Sequence, residues 1–307
     1  MKILPIGWER CRSITIVLIL FGASGSTLWA QETLDRSFTA KDAQIEQTQN
    51  ELRAALVGNQ GARVAAIQRA DAVVGDKTKP AAQRFQLAAL AELVRQQAYA
   101  ADINQLREER EVSARRLLTA FPDEPGGYEA LLREADNNPD IEHAKGLAQE
   151  LLAMEKAPSA IKQAAQLLHD RALLVGRPLQ EVVNEAWGET GIFAEAGGRP
   201  VVIYTWASWS PGSLEQARDL AKVLPSEATL FGLGLDAETP AALALLEEHP
   251  APGAQLTEPP RKAGQLARVL QVGKSSPIYI INAEGIFIDV AGEKVAPSVL
   301  VERLNQR

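Results

Sequence analysis

Val201-Val202-Ile203-Tyr204-Thr205-Trp206-Ala207-Ser208-Trp209-Ser210-Pro211-Gly212-Ser213-Leu214 is the stretch on which the fold turns. Val201 to Trp206 is a continuous strand-forming run without alternation, the pattern of a central strand buried on both faces. Ser210-Pro211 reads as a helix start. Serine is a favoured N-cap, worth about 1 kcal/mol over alanine. Proline fits the first helical turn, where its missing N–H has no partner to lose. Leu214 to Leu224 then continues as an amphipathic helix.

Downstream, Thr229 to Leu235 reads as a second strand. Pro240 to Glu248 reads as a helix with Thr239 as its N-cap. Ala263 to Leu270 is a further short helix. Ser276-Pro277 leads into a strand at Ile278 to Ile281, and Asn282 to Gly285 make a turn. Ile286 to Val290 returns as the second arm of a hairpin, and Pro297 to Asn305 closes with a helix. The class is α/β, in the order strand-helix-strand, helix, hairpin, helix.

With that order in place, residues 176–307 resemble the thioredoxin-like domain of TlpA- and ResA-type extracytoplasmic proteins. The matching residues are Gly176-Arg177-Pro178-Leu179, Gly198-Arg199-Pro200-Val201-Val202, Trp206-Ala207-Ser208-Trp209, Pro211, Pro277 and Asn282-Ala283-Glu284-Gly285. The resemblance implies a Trp-Cys-x-x-Cys redox motif at the start of the first long helix. Here it reads Trp209-Ser210-Pro211-Gly212-Ser213, with serine at both cysteine positions. Disulfide exchange needs a thiolate, and a serine hydroxyl cannot replace it. The buried aspartate of thioredoxins, six residues before the first cysteine, corresponds to Tyr204. The resemblance further implies that the Ser276–Pro277 bond is cis and lies beside the motif. Trp209, Pro211, Gly212, Ser276 and Pro277 would then line a groove that takes extended peptide. Ser210 and Ser213 carry no catalytic role in this reading. Hydrolase chemistry would need a positioned base, and this part holds only His249 and no Gly-x-Ser-x-Gly elbow. An anion or peptide carbonyl on the free N–H groups at the helix start is the alternative use of Ser210-Pro211.

Upstream the pattern is helical. Helices are expected over Glu32 to Val57, Ala62 to Val74, Pro80 through Leu93, Asp102 to Ala120, Tyr128 to Ala135, Ile141 to Met154 and Ser159 to Leu174. Leu117-Leu118 recurs as Leu151-Leu152, 34 residues on, which is the tetratricopeptide period. The other consensus positions are missing, so the expected architecture is an antiparallel helical array.

The first thirty residues have the layout of a signal peptide. Lys2, Arg10 and Arg12 precede the apolar run Ile14 to Phe21, and cleavage is expected after Ala30. A retained anchor is the alternative. Cys11 precedes the apolar run, whereas a lipidated cysteine would follow it. Cys11 is the single cysteine, so the mature chain would hold no thiol. The expected organisation is a signal peptide at 1–30, a helical domain at 31–175 and a thioredoxin-like domain at 176–307.

The net charge of -7 argues against nucleic acid, which needs a basic footprint. Three scattered histidines, at 143, 169 and 249, offer no metal-ligand spacing, and no cofactor is expected. The function expected is that of an exported, periplasmic, redox-inactive thioredoxin-like protein that binds a protein or peptide. Membrane contact is expected only through an uncleaved signal segment. The alternative is a TlpA-type thiol-disulfide oxidoreductase working on thiols that its partner supplies. A third reading is a scaffold for the helical half.

Overall fold

A computed structural model describes residues 42–182, 198–236, 239–255, 260–273, 276–292 and 297–305. The signal segment and its cleavage position lie outside the described residues. The chain divides into two compact units, one ending at Arg95 and the other spanning Gln96–Arg307.

In the first unit, helices α1 (Ala43–Leu56), α2 (Gln60–Gly75) and α3 (Ala81–Gln96) enclose a core of Ile45, Leu52, Ala70, Leu87 and Val94. Asp42 caps α1 by accepting from the Gln44 and Ile45 N–H groups, and Asn59 caps α2 through Ala62. Arg95 pairs with both Glu92 and Asp71, tying α3 to α2.

The second unit begins with four helices: α4 (Ile103–Ala120), α5 (Pro125–Asp136), α6 (Ile141–Ala153) and α7 (Ser159–Ala172). Each packs on its neighbour, and α5 also touches α7. Gly127 permits the α4–α5 crossing, since a Cβ there would sit 2.9 Å from the Leu118 backbone N. Leu117 and Leu151, the pair related by 34 residues, are both buried.

A five-stranded sheet follows: β1 (Val201–Trp206), β2 (Thr229–Gly234), β3 (Ala254–Gln255), β4 (Ile278–Ile281) and β5 (Phe287–Ala291), in the order β3-β2-β1-β4-β5. β1 runs parallel to β2 and antiparallel to β4, and β4–β5 is a hairpin. Helices α8 (Pro211–Val223), α9 (Pro240–Glu248), α10 (Pro260–Val269) and α11 (Pro297–Asn305) complete the unit. Period-two alternation divides β1 between two cores. Val202, Tyr204 and Trp206 face Leu214 and Leu220 of α8 and Leu300 of α11. Val201 and Ile203 face Leu266 of α10 and Leu270 just after it, with Leu174 and Leu179.

Across the boundary expected at 175/176, the four-helix segment and the sheet belong to one compact unit. Gly176 N–H donates to the Phe287 carbonyl (2.8 Å), Phe287 N–H to Arg177 (3.0 Å) and Leu179 N–H to Gly285 (2.7 Å). Buried Arg171, on α7, donates to the Asp136 carboxylate and to the Gln271 carbonyl. Arg303, on α11, reaches both the buried Asp289 carboxylate and the Pro139 carbonyl. Composition changes at Gly176 because the secondary structure changes there, while the packing continues across it.

Candidate functional site

Ala207 to Ser210 form a tight turn at the end of β1. The Ser210 N–H donates to the Ala207 carbonyl at 3.0 Å. Ser210 occupies the N-cap position of α8, and Pro211 opens the helix. The expected capping role of Ser210 is corrected: its side chain makes no cap hydrogen bond, and its ψ of 68° departs from the usual extended cap backbone. Ser213 does the local work instead. Its N–H (3.0 Å) and its hydroxyl (2.6 Å) both donate to the Ser210 carbonyl. Ser213 is buried, Ser210 half-buried and Gly212 exposed, while the Trp209 side chain at the turn is 59% exposed. The two motif serines are thus one turn apart at a helix start, and the Ser213 hydroxyl is taken by the Ser210 carbonyl.

The Pro277 loop touches the same strand. Its carbonyl accepts from the Thr205 N–H (3.2 Å) and the Thr205 hydroxyl (3.0 Å). Ser276 is buried, and its Oγ makes no hydrogen bond among the described residues. No peptide bond among the described residues is cis, so the expected cis Ser276–Pro277 bond is corrected to trans. Trans is the intrinsic preference of an X–Pro bond, and the Pro277 carbonyl is fully engaged by Thr205 in that form. Ser276 and Pro277, expected to line the groove, are both buried. Trp209 and Gly212 remain as the accessible part.

Two elements of the site were not read from the sequence. Behind the turn, Tyr204 fills the place expected for a buried acid. Its hydroxyl donates to the Pro252 carbonyl (2.7 Å) and accepts from Gln255 Nε2 (3.0 Å). Gln255 Oε1 in turn accepts from Trp206 Nε1 (3.2 Å). Gly232 leaves room for this cluster, since a Cβ there would overlap both Tyr204 Oη and Gln255. In front of the turn, the Asp236 carboxylate accepts from the Ser208 N–H at 3.0 and 3.2 Å and from the Ser208 hydroxyl. Gln255 and Asp236 lie 49 and 28 residues from the groups they hold, beyond any local pattern.

Burial pushes the Tyr204 phenol up to about 12, outweighing the opposing Gln255 hydrogen bond, and burial also raises Tyr279. A folded-state pKa above the unfolded value stabilises the fold fully below the unfolded value and is lost as pH rises through the folded one. Stability should therefore decline as pH climbs from 10.0 towards about 12. An alkaline titration should show the Tyr204 phenolate absorbance appearing together with loss of the fold. Phenolate from Tyr204 in a protein still folded near pH 10 would contradict this.

The element order along the chain and the β4–β5 hairpin are those expected from the sequence, with β3 added between α9 and α10. The C-terminal part is an α/β unit built on a mixed five-stranded sheet. No family model matches the chain, and no curated protein matches it. Solved structures that it is similar to include MTB dsbF in mixed oxidized and reduced forms, at 23% identity over 35% of this chain and 79% of that one, with a TM-score of 0.30. The thioredoxin domain of a Bacteroides vulgatus thiol-disulfide oxidoreductase shares 14% identity over 37% of this chain and 81% of its own, with a TM-score of 0.32. A secreted Mycobacterium tuberculosis disulfide oxidoreductase shares 19% over 36% and 84%, with a TM-score of 0.30. These structures match only about a third of the chain. Among the described residues no cluster of histidine, cysteine, aspartate or glutamate could hold a metal. No helix among them is long and apolar enough to cross a membrane.

Proposed function

We propose that this is an exported, redox-inactive thioredoxin-like protein that binds a protein or peptide partner. One observation carries the reading: a large aromatic, Trp209, stands 59% exposed at a hydrogen-bonded turn in the place of a redox motif. Exposed tryptophan adds little to folding stability, yet it is the side chain most enriched among residues that dominate binding energy. Redox inactivity rests on serine at 210 and 213 and on a tyrosine whose hydroxyl is committed to Pro252 and Gln255. Export rests on the layout of residues 1–30.

The test places benzoylphenylalanine, a photo-crosslinking aromatic of bulk comparable to tryptophan, at position 209 and, separately, at Leu243, an exposed apolar position on α9. A discrete adduct in an extracytoplasmic extract is expected from 209 and not from 243. Unlabelled wild type should compete it away, and Trp209→Ala should not. Equal labelling from both positions, or none from 209, would end the binding reading for this face.

A further inference from the structure

We propose that Asp236 is a positioning residue for Trp209, holding the turn that presents it in one orientation. The inference rests on the reading of Trp209 as the contact residue and says how the fold prepares it. Strand β2 continues one step past Gly234, where the Leu235 N–H donates to the Trp206 carbonyl at 2.9 Å. That register delivers Asp236 to the flank of the Ala207–Ser210 turn. The turn is closed by its own Ser210-to-Ala207 hydrogen bond, and Ser208 and Trp209 are its two central residues. Both Asp236 oxygens face the Ser208 N–H, and the Ser208 hydroxyl adds a further donor. Bonds from a carboxylate to such donors are stronger than neutral ones.

The same carboxylate accepts from the Thr239 hydroxyl at 3.3 Å, and the Asp236 carbonyl accepts from the Thr239 N–H at 2.8 Å. Thr239 Oγ1 then caps α9 by accepting from the Ala242 N–H at 3.1 Å. One side chain therefore joins the end of β2, the start of α9 and the turn. Immobilising a free side chain and its loop on binding is costly, and pre-ordering removes part of that cost. A turn pinned at the residue before Trp209 supplies such pre-ordering on the backbone side.

Backbone amide relaxation and the Trp209 indole resonance, assigned with Trp209→Phe, read the effect in the full chain without any partner. In the wild type the amides of Ser208 to Ser210 should have order parameters near 0.85, the rigid-backbone value. Asp236→Ala should drop them below about 0.6, the range of flexible loops. Val201 to Tyr204 should stay unchanged. Asp236→Asn keeps an oxygen for the Ser208 N–H and should restore most of the order, and Ser208→Ala, which removes only the hydroxyl, should lie between. Order retained in Asp236→Ala, or lost equally along β1, overturns the proposal. Crosslinking from position 209 with Asp236 intact judges the contact reading separately, so the two can fail independently.

Discussion

Ser210→Cys combined with Ser213→Cys is expected to give a protein with an intramolecular disulfide that dithiothreitol reduces. The two positions lie one turn apart at the start of α8, where the Ser213 N–H and hydroxyl both meet the Ser210 carbonyl. A disulfide needs Cα atoms about 4.4–6.8 Å apart, which one helical turn provides. The helix N-terminus should lower the pKa of the more exposed thiol. Reductase turnover should stay weak, because the slot behind the motif holds Tyr204 bonded to Pro252 and Gln255 and offers no carboxylate for proton transfer. The wild type should show none in an insulin-reduction assay. Thiol titration with and without reductant decides the structural part. Two thiols that remain free under mild oxidation would mean that the turn is too distorted to bridge. Turnover by the wild type would favour an oxidoreductase that borrows its partner's thiols, and would remove the binding reading.

Arg303→Ala should cost the second unit about 3–5 kcal/mol, the usual loss when one partner of a buried ion pair is removed. Its guanidinium joins Asp289 on β5 to the Pro139 carbonyl before α6. The Asp289 side chain is 6% exposed and also accepts from the Val290 N–H, so losing Arg303 takes the cationic partner from a carboxylate that stays buried. Arg303→Lys offers a point charge instead of a fork and should recover only part of the loss. Denaturant unfolding followed by far-UV circular dichroism measures both. A loss below about 1 kcal/mol, typical of exposed pairs, would show that the clasp is solvated.

How much of this could be read from the chain depends on how local the cause is. Val201–Trp206, Pro240–Glu248, Ile278–Ile281 and Pro297–Asn305 match the expected elements to the residue. Each has an uninterrupted apolar pattern or a proline at its first helical position, signals that act within a few residues. Strand β3 was not expected, because two residues held by register to Phe231 and Gly232 carry no periodicity of their own. The site was half legible. Trp209, Ser210 and Ser213 lie at the helix start read from the sequence, but Ser210 does not cap and the Ser276–Pro277 bond is trans. A family pattern transfers positions more safely than conformations, since the latter depend on neighbours that differ. Asp236 and Gln255 left no trace in the sequence because only the fold brings them to Ser208 and Tyr204.

All five residues of β5 are buried although it is the last strand of the sheet. Its outer neighbourhood is taken by the helical segment, with α6 packed on it and Gly292 set against the Asp136 carbonyl so closely that any side chain there would collide. Edge strands are where sheets of separate molecules join, and proteins usually blunt them with charge, proline or a twist. This chain uses a helical lid in their place. The helices from Ile103 onward share the covering of this edge with the Gly176–Leu179 segment, which bonds to Phe287 and Gly285, so a piece lacking both is expected to self-associate before it unfolds.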